Sequence, residues 1–527
     1  MIEKTTKSLV ETLKVTLTKI HLEPLSPGSF FAALLAVIVV RTWLELLLEP
    51  SAAISYFPEF YLSLVDYLHV IFSWLTLFVA IALWLSISLK IDFNFVSRAT
   101  LIVFPVICIV PWIDYVFPSG ISISYSHTFD SFWHTWRALF NPWESIAQIS
   151  PGVRVEVALV LLFIASYGLL MQRPLWRLLL AVFGVYQIIF LFGYLPAVYS
   201  QLTGVAFSEL VGAAMLPVRS NTHLYALMYL PLAAVLVVMA VFFLKAQWRY
   251  SCWQLIRLER LSIYVGLMAF AILLAAINAL AGAELINLYD LLRMLAACLS
   301  ISLLFVFSTA VNDLADLTGD RISNPQRPLV TGAITVNAMT QLAIIALLFS
   351  LALALLVNEH FFFVAIALAA FSYLYSAPPF RLKRFLGLAH AVLMLIAGSV
   401  VVAGYVVVEA NLAFQKMDLP LLYSILLFFF IASHLKDIKD VSADRRVGVV
   451  TLAGLIGAKS AYLLICVAVI FSLLLSSYWL GLGLLVGVSL ATVFGVLAYW
   501  LRNAEYCLLL TQGVGFVLLA GYCWQVI

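Results

Sequence analysis

Two short stretches of the sequence concentrate acidic side chains at a repeated spacing. They are Asn312-Asp313-Leu-Ala-Asp316-Leu-Thr-Gly-Asp320 and Lys436-Asp437-Ile-Lys-Asp440-Val-Ser-Ala-Asp444. In each stretch three aspartates are separated by three and four positions, which places them on one face of a helix. Solvated loop charges would explain one such cluster, but two clusters with the same spacing favour a shared chemical role.

Carboxylates stacked on one helix face repel one another unless a cation lies between them. Two such faces meeting at one membrane surface would form an oxygen-rich site suited to Mg²⁺, whose coordination is usually completed by substrate phosphate oxygens. The basic residues near both stretches, which would neutralise a diphosphate, are Arg327, Arg381, Lys383, Lys436, Arg445 and Arg446. The surrounding apolar segments would solvate a hydrocarbon tail. Together these features predict a polyprenyl diphosphate as substrate.

The composition places both stretches in a membrane protein. The chain has 527 residues, of which 65% are hydrophobic and 10% charged, and its mean hydropathy is +1.09. A helix needs about 20 apolar residues to cross a bilayer, and such runs recur along nearly the whole chain. Their continuity favours helices over barrel strands, in which apolar and polar residues alternate. We therefore predict an all-α polytopic membrane protein with about fifteen transmembrane helices.

The predicted spans and the basic residues together indicate an orientation. The spans are about 29–48, 67–89, 97–117, 154–171, 178–200, 223–244, 261–282, 288–311, 334–357, 360–376, 386–408, 419–436, 459–477, 479–500 and 504–525. With a cytoplasmic N-terminus, 23 of the 29 Lys and Arg residues fall in the cytoplasmic tail and loops, as the positive-inside rule requires. We therefore expect the N-terminus and both acidic stretches inside the cell and the C-terminus outside. No signal peptide is predicted.

A basic, aromatic connector over residues 245–260 marks a predicted domain boundary. We expect a six-helix membrane domain of unknown role over residues 1–250 and a nine-helix domain over residues 251–527. The six cysteines lack paired spacing and are expected to be small core residues. Arg41 and Glu45, four positions apart, are expected to pair.

One outer loop could bind a metal through His127, Asp130 and His134. The aromatic residues around them favour an interfacial helix instead.

The second half of the chain, about residues 250–527, resembles the UbiA superfamily of intramembrane prenyltransferases. The resemblance is carried by an Asn-Asp-x-x-Asp-x-x-x-Asp pattern from Asn312, an Asp-x-x-Asp-x-x-x-Asp pattern from Asp437, and Tyr375-Ser376-Ala377-Pro378-Pro379. It implies that Mg²⁺ on an allylic diphosphate is held by Asp313, Asp316, Asp320, Asp437, Asp440 and Asp444. The predicted diphosphate-binding residues are Asn312, Arg327, Arg381, Lys383 and Lys436. Leu-Ala before Asp316 and Ala443 before Asp444 depart from common family residues, but neither removes a ligand.

The activity that the resemblance implies is Mg²⁺-dependent transfer of a polyprenyl group from an allylic diphosphate to a lipophilic acceptor in the cell membrane. The site would open to the cytoplasmic side, with no nucleic-acid partner. The motif spacing looks most like digeranylgeranylglyceryl phosphate synthases and chlorophyll synthases. A glycerophosphate ether lipid precursor is therefore the first expected acceptor, and an aromatic quinone precursor or tetrapyrrole is the alternative.

A function of another class, a membrane lipid carrier or binding protein, is the competing hypothesis. A carrier would place ionisable groups near the bilayer midplane. Here both acidic clusters lie at one membrane face, which favours the enzyme.

Overall fold

The computed structural model describes residues 26–48, 60–117, 125–138, 149–207, 209, 221–243, 246–280, 287–408, 417–438, 441 and 449–526. Within these ranges the regular structure is helical, with no β-strand. The α-helices are α1 (Pro27–Leu48), α2 (Phe60–Leu89), α3 (Phe93–Val103), α4 (Ile109–Val116), α5 (Phe132–Ala138), α6 (Pro151–Leu170), α7 (Leu175–Gly193), α8 (Leu195–Thr203), α9 (Asn221–Phe243), α10 (Ala246–Ile256), α11 (Leu258–Leu280), α12 (Leu288–Ala315), α13 (Leu317–Ser323), α14 (Val336–Val357), α15 (Glu359–Ser376), α16 (Leu388–Val408), α17 (Leu419–Ala432), α18 (Leu452–Ile456), α19 (Ala458–Trp479), α20 (Leu484–Leu501) and α21 (Ala504–Val526).

The described residues contain fifteen helical segments long and apolar enough to cross a membrane. This confirms the predicted fold class and number of spans. The third span combines α3 and α4, which are joined by a 3₁₀ turn over Phe104–Cys108. Pro105 lies in that turn and cannot donate a backbone hydrogen bond, which explains why the α-helix is interrupted there.

The described chain divides into two compact units. The first contains residues up to Arg249 together with Ile286–Leu295, and the second contains Tyr250–Leu285 and Ala296–Ile527. The start of α12 therefore packs with the first unit, where the Tyr289 hydroxyl lies 3.2 Å from Nδ1 of His223.

In the first unit, α2 packs against α7 and α9. The predicted Arg41–Glu45 pair is confirmed, with Arg41 Nη1 donating to Glu45 Oε2 at 2.6 Å. His127 Nε2 lies 2.7 Å from the Tyr225 hydroxyl. No group of three His, Cys, Asp or Glu side chains in the described ranges could hold a metal.

All six cysteines of the chain are free.

In the second unit, α16 is the most deeply buried of the candidate spans. It packs against α11, α15 and α17. Gly404 permits the close approach of α11, since a Cβ at this position would lie 2.6 Å from Ala271 Cβ and 2.7 Å from the Met268 carbonyl oxygen. Small residues allow membrane helices to pack backbone to backbone in this way.

A reciprocal pair of hydrogen bonds fixes α12, which carries the first acidic stretch, against α14. Ser300 Oγ donates to the Ser350 carbonyl at 2.9 Å, and Ser350 Oγ donates to the Ser300 carbonyl at 2.8 Å. Both serines are fully buried. Hydrogen bonds between helices hold such packing in an apolar surrounding, where no water competes for the same groups.

Consecutive spans of the second unit run in alternating directions, which brings the functional segments to one end. The ends of α12 and α15, the segment just after α17, and the starts of α11, α16 and α21 all contribute to one cavity there. The first acidic stretch begins in the last turn of α12 and the second follows α17, so both begin at this end.

Candidate active site

The helix ends of the second unit enclose a cavity of about 650 Å³. Eight of the eleven predicted site residues line it, and they are Asn312, Asp316, Asp320, Arg327, Arg381, Lys383, Lys436 and Asp437. Asp313 is not among the lining residues and is buried. Asp440 and Asp444 fall outside the described residues. The structure thus brings the described parts of both acidic stretches to one cavity.

The first acidic stretch runs through the end of α12 into α13. Helix α12 ends at Ala315, and Asp316 precedes the first residue of α13. Backbone bonds from Asp316 N to the Asn312 carbonyl at 2.9 Å and from Asp320 N to the Asp316 carbonyl at 2.8 Å carry the helical spacing across the break. The helical backbone therefore continues across the break, although the aspartates have different partners.

Asp313 and Asp320 share one guanidinium. Arg327 Nη1 donates to Asp313 Oδ1 at 2.9 Å and also bonds Asp320 Oδ2. Asp313 Oδ1 receives a second bond from Arg257 Nη2 at 2.5 Å, and Asp320 Oδ1 accepts from Asn324 Nδ2 at 3.1 Å. Both carboxylates are almost fully buried, so these partners supply the charge compensation that water would otherwise give.

Asp316 has a separate pair of basic partners from the loop after α15. Arg381 Nη2 donates to Asp316 Oδ1 at 2.7 Å, and Lys383 Nζ donates to Asp316 Oδ2 at 2.5 Å. Lys383 also donates to Asn312 Oδ1 at 2.9 Å. Arg381 has a left-handed backbone, with φ of 43°, and the 3₁₀ turn Leu382–Arg384 follows it. This local turn directs both basic side chains to the same carboxylate.

The second acidic stretch begins where a 3₁₀ turn, Ser433–Lys436, ends α17. Asp437 Oδ2 lies 3.3 Å from Nε2 of His390, and Nδ1 of that histidine lies 2.9 Å from Ser433 Oγ. Lys436 Nζ donates to the Tyr375 hydroxyl at 2.6 Å. The start of α16, the end of α15 and the end of α17 therefore fix this side of the cavity together.

Burial opposes the charge of several groups around the cavity. It raises the pKa of Asp320, while the Arg327 guanidinium lowers it in part. Burial also lowers the pKa of Arg257, against the attraction of Asp313, and lowers the pKa of Lys383, against the attraction of Asp316. The ion pairs thus maintain charges that burial alone would suppress.

The charge balance of the lining favours a polyanion. The six basic side chains are Arg257, Arg260, Arg327, Arg381, Lys383 and Lys436, and the four acidic ones are Glu259, Asp316, Asp320 and Asp437. The oxygens of Asn312 and the three aspartates are the hard donors that Mg²⁺ prefers. Because no three His, Cys, Asp or Glu side chains of the described ranges form a metal-holding group, ligand oxygens, water or residues outside those ranges would complete its coordination.

The rest of the cavity wall is apolar. Ile301, Leu304, Leu368 and Val400 are among the residues that line its interior side. A smaller cavity of about 230 Å³, with Tyr264 and Lys436 in its lining as well, is bounded by aromatic and aliphatic side chains including Phe428, Phe429 and Phe516. A molecule with an anionic head and an apolar tail would match both parts.

Three site residues were not identified by sequence reasoning. Arg257 and Arg260 precede the seventh span, where basic residues indicate membrane orientation equally well. His390 is a single histidine inside an apolar run, without a neighbouring polar motif. Only the packing of α11 and α16 shows that all three belong to this site.

Comparison with known proteins agrees with the predicted resemblance. Residues 267–511 match the UbiA prenyltransferase family. The digeranylgeranylglyceryl phosphate synthase of Methanocaldococcus jannaschii is 28% identical over 35% of this chain, and the chain spans only 63% of that relative. A 2-acylphloroglucinol 4-prenyltransferase of Humulus lupulus is 30% identical over 34% of this chain and 42% of its own length.

Solved structures include a UbiA homologue from Archaeoglobus fulgidus bound to DMAPP and Mg²⁺. It is 19% identical, with a TM-score of 0.40, and the match covers 52% of this chain and 98% of the homologue. The family match confirms the resemblance inferred from the motifs. The chain therefore contains a UbiA prenyltransferase family domain over residues 267–511.

Proposed function

We propose that the second unit of this integral membrane protein transfers a polyprenyl group from an allylic polyprenyl diphosphate to a lipophilic acceptor. The observation that carries the proposal is the composition of one cavity. Its helix-end side presents six basic side chains with carboxylate and amide oxygens, and its interior side is apolar. A diphosphate with a hydrocarbon chain is the substrate class that uses both.

The basic residues would bind the diphosphate and stabilise it as it leaves. When the allylic carbon–oxygen bond breaks, the electron pair stays with the diphosphate, and Arg327, Arg381 and Lys383 would stabilise the growing negative charge. The acceptor nucleophile then forms the new bond to the allylic carbon, and its proton would pass to the departed diphosphate. The apolar walls would exclude the water that could otherwise capture the allylic cation.

The oxygen donors would hold Mg²⁺ at the diphosphate. Asn312, Asp316, Asp320 and Asp437 line the cavity and fit this cation by their chemistry. Asp313 would gain access as Arg257 and Arg327 turn to the diphosphate, and Asp440 and Asp444 are assigned by the sequence motif. When bound, Mg²⁺ supplies Lewis-acid stabilisation of the leaving oxygens.

For the acceptor we propose a glycerophosphate ether lipid precursor. The motif spacing and the similarity to digeranylgeranylglyceryl phosphate synthases support this choice. An aromatic acceptor is the second candidate, because a relative that is 30% identical carries the name 2-acylphloroglucinol 4-prenyltransferase. We further infer from the basic loops that the cavity opens to the cytoplasm and that the N-terminus is cytoplasmic and the C-terminus outside.

The purified full-length protein should transfer label from radiolabelled geranylgeranyl diphosphate to one class of acceptor. The panel would contain glycerophosphate ether, phenolic and tetrapyrrole acceptors, each with Mg²⁺ and with EDTA. We expect product with the glycerophosphate ether acceptor, loss of product in EDTA, and recovery when Mg²⁺ is restored. Transfer that is indifferent to EDTA would contradict the metal assignment, and product with only phenolic acceptors would select the second candidate.

We propose that residues 1–250 are a separate domain, not needed for the chemical step, and that residues 251–527 are the catalytic domain. A protein that begins near Ala246 should insert and retain transfer. It should also be less heat-stable, because Tyr289 at the start of α12 loses its partner His223. Thermal unfolding and product formation, compared with the full chain, measure both effects. A truncated protein that folds and binds donor but transfers to no acceptor would contradict this partition.

A further inference from the structure

The first unit contains a cavity of its own, which the proposed reaction does not use. Its volume is about 770 Å³, within the range of roughly 300–1,000 Å³ that is typical of small-molecule sites. Val153 and Leu170 both line it, and on a helix these positions are roughly 25 Å apart. Apolar residues such as Leu85 and Val96 line it as well. The cavity is therefore long enough and apolar enough for an extended hydrocarbon chain.

Polar side chains gather at one end of this cavity. They come from the end of α1, the starts of α2 and α6, and the segment before α5, and they are Arg41, Glu45, His69, Tyr125, Ser126 and Glu156. His69 Nε2 lies 2.7 Å from the Tyr125 hydroxyl. The Arg41 guanidinium carbon lies 5.1 Å from the centre of the Trp74 ring. Ionisable groups inside membrane-spanning segments are costly and mark functional sites.

Two buried atoms at this end have no hydrogen-bond partner among the described residues. They are Nε of Arg41 and Oγ of Ser126. The residues are 8% and 4% exposed, and both line the cavity. A buried donor without a partner loses its hydration without compensation. Hydrogen-bond acceptors on a bound molecule would satisfy both groups.

The charges at the polar end disfavour an anionic molecule. Arg41 is the single Lys or Arg side chain among the described lining residues, and it already pairs with Glu45 at 2.6 Å. Glu156 adds a second carboxylate. A phosphate headgroup would place further negative charge beside two carboxylates with one guanidinium to offset them.

We propose that this cavity binds an uncharged amphipathic lipid with one long hydrocarbon chain and a hydroxyl or carbonyl headgroup. The headgroup oxygen accepts hydrogen bonds from Arg41 and Ser126, and the chain occupies the apolar length of the cavity. This site lies within the first unit and is independent of the reaction proposed for the second unit.

Photo-crosslinking locates the lipid in the full-length protein. The probe is radiolabelled geranylgeraniol carrying a diazirine, added with Mg²⁺ and excess unlabelled geranylgeranyl diphosphate to block the second unit. We expect labelled peptides within residues 60–117 and 149–194. Labelling confined to residues 258–526 would overturn the proposal.

A pair of tryptophan variants on α6 tests the cavity itself. Val160 lines the cavity, whereas Val155 lies on the same helix outside the lining and is 40% exposed. Val160→Trp should lower labelling at least tenfold, because the indole fills the chain-binding space, and Val155→Trp should leave labelling unchanged. Equal labelling in the two variants would contradict the site.

Two milder variants test how the headgroup is bound. They also test the proposal if the Val160→Trp protein fails to fold. Ser126→Ala removes one donor and should weaken geranylgeraniol binding by roughly threefold to tenfold. Geranylgeranyl monophosphate should compete with the probe less well than unlabelled geranylgeraniol does. The Glu156→Gln variant should reduce this difference between the two competitors. Unchanged binding in Ser126→Ala, or stronger competition by the monophosphate in the unaltered protein, would overturn the assigned headgroup chemistry.

Discussion

An Asp316→Asn protein is expected to insert normally but to lose prenyl transfer by a factor on the order of 10²–10³. The amide keeps the shape of the side chain but removes the negative charge that pairs with Arg381 and Lys383 and that would attract Mg²⁺ in the proposed site. We expect comparable losses for Asp313→Asn and for Asp440→Asn, the latter from its place in the second motif. Initial rates with radiolabelled donor at saturating Mg²⁺ measure the effect.

Asp92→Asn is a matched control for this loss. Asp92 caps α3 in the first unit, and asparagine caps helices about as well as aspartate. The control should therefore keep full transfer activity with the same change of charge. Near-normal turnover of Asp316→Asn and Asp440→Asn would rule out the two-motif metal site.

An Arg327→Leu protein is expected to lose about 3 kcal/mol of folding stability as well as its activity. The Arg327 side chain is only 22% exposed, and the side chains of the two aspartates that it bridges, Asp313 and Asp320, are 4% and 6% exposed. Leucine leaves one guanidinium and one amide to compensate two buried charges. The midpoint of thermal unfolding in detergent, compared with the unaltered protein, reports the loss.

Two further variants separate charge from packing. Arg321→Leu changes an exposed arginine of α13, next to Asp320 in the sequence, and should leave the unfolding midpoint within error. Adding Asp320→Asn to Arg327→Leu removes the buried carboxylate whose guanidinium partner is lost, while Asp313 keeps Arg257. This double variant should recover part of the stability, but no activity, and failure to recover would mean that Arg327 stabilises the protein by packing alone.

The membrane architecture could be predicted from the sequence because each span is a continuous apolar run. The third span shows the limit of this reasoning. Its hydropathy indicates one helix, but a 3₁₀ turn that contains Pro105 replaces part of that helix. Hydropathy gives no sign of such a local change. Length and composition thus predict where the spans lie better than they predict the backbone geometry within a span.

The candidate site could be predicted only as far as its chemistry is local in the sequence. The spacing of Asp313, Asp316 and Asp320 predicts that they share a helix face. It cannot show that Asp316 pairs with the loop after α15 while the other two share Arg327, because those partners depend on how distant helices end. Arg257 illustrates the same limit, since its contact with Asp313 joins residues 56 positions apart.

The ion pairs of Asp316 make the two ligands of the proposed reaction interdependent. Arg381 and Lys383 donate hydrogen bonds to both carboxylate oxygens of Asp316. A bound cation would therefore replace the two basic side chains at the carboxylate, and a bound diphosphate would replace the carboxylate at the basic side chains. A diphosphate that draws the basic side chains away frees the carboxylate, and a cation that takes the carboxylate frees the basic side chains. By thermodynamic reciprocity each ligand strengthens the binding of the other by the same factor. The site would therefore bind the diphosphate donor tightly only when the metal ion binds with it.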